Sequence, residues 1–174
     1  MRLERLDSSN AAYFNDAMFL YEASFPKEER RDIEEQNRVL KNESYFFDLI
    51  LDGDTFCGIA LYWEFRELIF LEHFAIMPKM RCMGLGSKVL DLLKEKNKTV
   101  MLEIEPPVDE LTERRYGFYK RCGFVMNPYH HIQAKFRADD EDLVLKILSY
   151  PESLSEKVYT DFYEYMKREI ACSP

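Results

Sequence analysis

Apolar positions along the chain fall into two periods, one of two residues and one of three to four. At the start, Leu3 and Arg5 alternate with Arg2, Glu4 and Leu6, which predicts a short strand. Asp7, Ser8, Ser9 and Asn10 offer N-caps, and Phe14, Met18, Tyr21 and Phe25 then recur at helical spacing up to Pro26. The charge cluster 27–31 reads as a solvated loop or helix start, with a substrate-side lid as its functional alternative. A second helix is predicted over 32–41, with Ile33, Val39 and Leu40 as its few apolar contacts. The period then shortens to two. Strands are predicted over 45–51 and 55–66, joined by Asp52-Gly53-Asp54, a hairpin signal. Glu67 marks another turn, and 68–77 is a third strand.

Beyond Pro78 the chain turns through Arg81-Cys82-Met83-Gly84-Leu85-Gly86. Val89, Leu90, Leu92 and Leu93 then make the apolar stripe of a helix that ends among Lys94, Lys96 and Lys98, where cations suit the negative end of its dipole. A strand over 99–104 stops at Pro106-Pro107. Residues 111–121 read as a helix, with Gly123 in the position that commonly ends one. Two closing strands are predicted over 125–136 and 143–148. Ser153 and Glu156 form a capping-box pattern, and Leu154, Val158, Phe162, Met166 and Ile170 line a final helix. The order βααβββαβαββα is an α+β arrangement, expected to be a single domain over 1–174.

Composition narrows the function. The 174 residues, 47% of them hydrophobic, can bury a core without staples and are too apolar for a disordered chain. With 32 acidic against 24 basic residues and a net charge of -8, the chain is a poor match for a nucleic acid or an anionic membrane surface. No targeting segment or bilayer-length apolar run is evident, so the expected compartment is the cytoplasm. Cys57, Cys82, Cys122 and Cys172 are scattered without a C-x-x-C pair, as reduced thiols would be, and no metal-ligand spacing occurs, so no metal is expected. A nucleophilic role for Cys82 or Cys122 lacks a base partner.

The chemistry concentrates at 71–89, where a strand, a Gly-containing turn and a helix N-terminus follow one another. Free N–H groups and the positive dipole end at such a junction bind anions; glycines let a phosphate approach the backbone, and Arg81 adds charge. An ordinary strand–helix turn would use the same residues. The dinucleotide fingerprint fails because Val89 stands at its third small position, and no Gly-Lys pair supplies a Walker loop.

Ile76-Met77-Pro78-Lys79-Met80-Arg81-Cys82-Met83-Gly84-Leu85-Gly86 resembles the acetyl-CoA signature of GNAT acetyltransferases, V-x-P-x-x-R/Q-x-x-G-x-G/A. Phe118-Tyr119-Lys120-Arg121-Cys122-Gly123-Phe124 resembles the second signature, F-Y-x-x-x-G-F, with one strand between the two as in that family. The match covers 68–124. It implies a GNAT-like fold, with a mixed central sheet of about six to seven strands and helices on both faces. It implies that CoA pyrophosphate sits on backbone N–H groups of Cys82, Met83, Gly84, Leu85 and Gly86, beside Arg81, Ser87 and Lys88. The pantetheine arm would run beside Phe74, Ala75 and Ile76, with an N–H near Ile76 at the thioester carbonyl. The Asn that many members carry after the fifth strand is replaced here by Glu105-Pro106-Pro107-Val108-Asp109, and the usual Gly-Lys wording of the turn by Arg-Cys-Met-Gly.

The resemblance also implies that Tyr119 donates to the leaving thiolate. Glu72, Glu103 and Glu105 are candidate general bases, because an ammonium must lose a proton before it attacks. Together they suggest an acidic pocket for a cationic amine; structural salt bridges or a solvated sheet face are the alternatives. By alternation Glu72 shares a face with Phe74 and Ile76 while His73 points the other way, against a helix. His130 and His131 lie on a late strand that borders the acceptor site in the family, and at most one of them can face it. The expected function is direct acetyl transfer from acetyl-CoA to a primary amine of an unidentified acceptor; a homodimer is compatible with it. The alternative is a non-catalytic CoA-binding sensor or interaction module acting through Tyr159, Phe162, Tyr163 and Tyr165.

Overall fold

A computed structural model describes residues 1–6, 12–137 and 141–171. They form two compact units, Met1–Lys98 and Thr99–Pro174. The predicted caps at 7–10 lie outside the described residues.

In the first unit, β1 (Arg2–Arg5), β2 (Tyr45–Asp52), β3 (Thr55–Phe65) and β4 (Leu68–Ile76) form an antiparallel meander in chain order. The turn between β2 and β3 closes on the pair Asp52–Thr55, as the Asp-Gly signal predicts. Strand β3 is buried without interruption from Cys57 to Trp63. It is paired on both edges and covered on both faces, which explains its continuous apolar run. Gly58 is required there: a Cβ at that position would lie 2.2 Å from the Ala75 carbonyl oxygen on β4.

Helix α1 (Phe14–Ser24) buries Ala17, Leu20 and Tyr21, and Tyr21 packs on Phe47 of β2. The neighbouring Phe46 points to the other face, where it stacks on Tyr62 and is covered by Lys96, just beyond α3 (Leu85–Lys94). Helical segments therefore flank this sheet on both faces. Helix α2 (Ile33–Val39) is shorter than the sequence pattern suggests. It is capped by Asp32, whose carboxylate accepts the Glu35 N–H at 2.8 Å, and Ile33 is half exposed instead of packed.

In the second unit, β8 (Val144–Tyr150) is the hub. It pairs antiparallel with β5 (Thr99–Ile104), β6 (Val125–Met126) and β7 (His131–Ile132). The single strand read over 125–136 is broken into these two short pieces. Pro128 cannot donate to a ladder. Asn127 spends its side chain on other partners, donating to Ser149 Oγ at 2.8 Å and accepting the Leu154 N–H at 2.7 Å. Helix α4 (Glu110–Arg121) is capped reciprocally by Asp109 and Thr112, and the chain leaves it through Gly123 at φ 87°. Helix α5 (Glu156–Tyr165) is capped by Ser155, which accepts the Val158 N–H; the Ser153 pattern misplaced the cap by two residues. A wider turn, Met166–Ile170, continues α5 and buries Met166 and Ile170.

Candidate active site

The cradle begins where β4 ends. Pro78–Met80 make one 3-10 turn, and Arg81 returns to extended backbone. Cys82 and Gly84 both take left-handed conformations, φ 62° and 74°. The second is natural for glycine and costs any other residue backbone strain. Gly84 stands at the N-cap of α3, and no side chain caps that end, so its leading N–H groups are open to an external acceptor. A Cβ at Gly84 would meet nothing within 4 Å, so the space above the turn is clear. Around it, Lys79, Arg81 and Lys88 are exposed cations, and Arg81 Nε is anchored on the Ile76 carbonyl at 3.1 Å. Ser87 Oγ donates back to the Gly84 carbonyl at 2.9 Å, and Leu85 tucks into the core. The residues present fit a pyrophosphate, in spite of the chain's negative total. On the approaching strand Phe74 and Ile76 are half-buried and Ala75 is buried.

Glu72 sits in a different environment from the one alternation predicts. The register of β3 and β4 slips between Leu61–His73 and Tyr62–Leu71, so Glu72 is the extra residue of a β-bulge. The bulge brings Glu72 and His73 to the same side, with His73 Nδ1 3.4 Å from Glu72 Oε2. Period-two counting put them on opposite faces and fails at this slip. His73 is buried against α1 as expected, edge-on to Tyr21 and Phe25, with its Nε2 2.6 Å from the Glu29 carbonyl.

The Glu72 carboxylate is gripped by Arg31 through two hydrogen bonds of 2.6 and 2.8 Å and by the Trp63 indole N–H at 3.1 Å. The two side chains are 0% and 2% exposed. Burial alone would push this carboxyl up, but the Arg31 charge overrides it and holds the pKa at about 2. Arg31 also donates its backbone N–H to the Tyr21 hydroxyl at 3.0 Å. Arg31 is thus no part of a solvated charge cluster; it is the residue the sequence reading missed. Its signal was a lone carboxylate, Glu72, inside an apolar strand, which demands a cation from somewhere.

Tyr119 lies on α4 in the second unit, edge-on to Phe118 and Phe124 and half-buried. Burial pushes its phenol up to about 12, so it keeps its proton at neutral pH and can donate one. Glu103, near the end of β5, is 7% exposed and contacts His131 Nε2 through Oε1. Glu105, past the strand end, is half exposed and pairs with Arg115 on α4. Each of the three carboxylates therefore has its own basic partner, and an unpaired acidic pocket does not form from them. His131 opens β7 and is fully buried, whereas His130 precedes the strand and is exposed, so only one of the two lies on the late strand the sequence predicts. Among the described residues no three His, Cys, Asp or Glu side chains gather as a metal site would require. Among the described residues, Cys57, Cys82 and Cys122 are not in a disulfide. No helix among the described residues is long and apolar enough to cross a membrane.

Comparison with known proteins agrees with the family resemblance read from the sequence. The model of the acetyltransferase (GNAT) family matches residues 10–124. The chain is 36% identical over 148 residues to YjbC of Bacillus subtilis (strain 168), a protein named as an acetyltransferase, covering 83% of this chain and 73% of YjbC. A solved structure from Bacteroides thetaiotaomicron, assigned to the GNAT family, superposes with a TM-score of 0.92 at 27% identity over 100% of both chains. A GNAT family acetyltransferase from Elizabethkingia anophelis, solved with acetyl-CoA bound, shares the fold at TM-score 0.56 and 15% identity, over 85% of this chain and 95% of the other.

Proposed function

Because the chain belongs to the GNAT family and is an acetyltransferase with the α+β fold of that family, we propose that it moves the acetyl group of acetyl-CoA directly onto a primary amine. The observation that carries the cofactor assignment is the uncapped N-terminus of α3, with Gly84 left-handed and open above and Arg81 beside it. The N–H groups of 82–86 would hold the pyrophosphate, with Ser87 and Lys88 just inside the helix. The edge of Phe74, Ala75 and Ile76 would take the pantetheine arm by main-chain hydrogen bonds, and the Ile76 N–H would meet the developing oxyanion. No metal enters this reading.

In the transfer the amine nitrogen forms the new C–N bond and the C–S bond of the thioester breaks. Tyr119, protonated well above neutral pH, supplies the proton that the thiolate needs. Rate would come from holding amine and thioester together and from the backbone donors at the carbonyl.

The test is a thiol-release assay with acetyl-CoA against a panel of polyamines, aminoglycosides, free amino acids and peptides with free N-termini, alongside calorimetric titration of acetyl-CoA. Saturable release with at least one amine is expected. Tight acetyl-CoA binding with no release on any amine would favour a CoA-binding sensor, and no binding would remove both readings.

A further inference from the structure

Successive N–H groups of a β-strand point to opposite edges, so the direction of each N–H on β4 follows from the phase of the strand. The Met77 N–H donates to the Cys57 carbonyl on β3 at 2.9 Å. Two residues back, Ala75 also faces β3, opposite Ile59 and with its carbonyl oxygen against Gly58. Phe74 and Ile76 alternate with these two and therefore turn their N–H and C=O groups away from β3. The Ile76 carbonyl is held there by Arg81 Nε at 3.1 Å. The Ile76 N–H assigned above to the oxyanion owes its direction to this phase.

Which residue is the extra one sets the phase. With the bulge at Glu72, Leu61 faces His73, Ala60 faces Phe74 and Gly58 faces Ile76. Were Glu72 taken into the ladder opposite Leu61, every later residue would move up one place. Phe74 would then face Ile59 and Ile76 would face Cys57, so the Ile76 N–H would turn into the sheet and the Ala75 N–H out of it. Hydrophobicity does not choose between these phases, because Phe74, Ala75 and Ile76 are all apolar. Polar contacts do. Arg31 binds both oxygens of Glu72, and the Trp63 indole N–H binds one of them. Nε2 of the next residue, His73, donates to the Glu29 carbonyl, and the Arg31 N–H donates to the Tyr21 hydroxyl. The segment between α1 and α2 thus grips both residues of the bulge, and a slip would pull a carboxylate off a buried guanidinium.

We infer that Arg31 is a positioning residue for the acetyl transfer: by pinning the bulge at Glu72 it fixes which N–H of β4 is presented to the thioester. The inference rests on the amine acetylation proposed above. It asks no proton transfer of Glu72, whose carboxylate is committed to the grip. Every residue it uses lies in the first unit, with the cradle.

The experiment compares variants of the full chain with wild type, using acetyl-CoA and the best amine of the panel. Arg31→Met/Glu72→Leu replaces the ion pair with apolar side chains and frees the bulge. Its kcat is expected to fall about 100-fold, the cost of one lost oxyanion donor. Calorimetric binding of the phosphorylated ADP half of CoA, which needs only the cradle, is expected to stay unchanged. In amide NMR the residue that responds most to acetyl-CoA is expected to change from Ile76 to Ala75. Deleting Glu72 together with Arg31→Met removes the pair but keeps His73 opposite Leu61, so kcat is expected to return to within about threefold of wild type. If the substituted pair does not fold, Arg31→Lys takes its place: it keeps the charge without the two-point grip, and kcat should fall about 10-fold with the same unchanged nucleotide binding. Full turnover in the substituted pair or its replacement overturns the inference and leaves amine acetylation standing. So does lost turnover in a deletion variant that still binds the nucleotide, or lost turnover with Ile76 still the responding amide. A wild-type chain that acetylates no amine removes both.

Discussion

Replacing Glu72 by Gln removes one charge from a pair that has no solvent to fall back on. Arg31 would keep a guanidinium that is 0% exposed, facing an amide with an N–H₂ group of its own. Breaking one side of such a pair costs about 3–5 kcal/mol, because the surviving charge stays buried. The pH dependence gives an independent magnitude. The carboxyl is held at about 2 against its usual 4.5, because the Arg31 charge outweighs burial. At roughly 1.4 kcal/mol per pH unit, that drop is worth about 3 kcal/mol of folding stability. A depressed carboxyl stabilises the fold above its unfolded value and loses that contribution as pH falls through the folded one. The contribution should therefore be whole above pH 5 and fade between about pH 4.5 and 2. Urea unfolding of wild type and Glu72→Gln at half-unit steps from pH 7 to 2 measures both numbers. The difference between the two stabilities should be several kcal/mol at pH 7 and shrink through the acid range. A difference under 1 kcal/mol at pH 7, or one that does not change with pH, would refute the argument that this ion pair anchors β4.

Three further outcomes are expected. Gly84→Glu should raise the acetyl-CoA Kd at least 100-fold by calorimetry, since it strains a φ of 74° and sets a carboxylate at the N–H groups meant for phosphate; an unchanged Kd would remove the cradle. Tyr119→Phe should lower kcat about 10-fold or more with an unchanged acetyl-CoA Kd, and the wild-type profile should show no basic limb from this phenol below about pH 11, because burial holds it near 12; full turnover in the variant would take Tyr119 out of the reaction. Gly58→Ala should cost at least about 2 kcal/mol in thermal unfolding, because its methyl would collide with the Ala75 carbonyl oxygen at 2.2 Å; a wild-type melting temperature would show that β3 and β4 can part there without penalty.

The cradle was legible because its determinants are local. A proline, an arginine and two glycines at fixed spacing specify a turn and a helix start, and each reads out within a dozen residues. The hairpins and the amphipathic faces of α3 and α5 were legible for the same reason. Partners brought together over long chain separations were not. Arg31 lies 41 residues from Glu72, Glu103 lies 28 before His131, and Tyr159 lies 28 beyond His131. A sequence shows that a buried carboxylate needs a cation, but not which one arrives. The break between β6 and β7 was missed because a run of apolar and aromatic residues outweighed one proline, and the hydrogen bonds of Asn127 that stabilise the break come from β8 and the segment before α5.

The bulge at Glu72 makes β4 two half-strands out of phase. Upstream of the slip Leu71 pairs with Tyr62, and downstream His73 pairs with Leu61, so inside and outside must be counted from each end separately. Deleting one residue here would not merely shorten the strand. It would restore an unbroken pleat in which Leu71 still faces Tyr62 and His73 still faces Leu61, so what disappears is the Glu72 carboxylate that answers Arg31. The extra residue is therefore present for its carboxylate, whereas a deletion anywhere else along β4 would turn one half of the strand over.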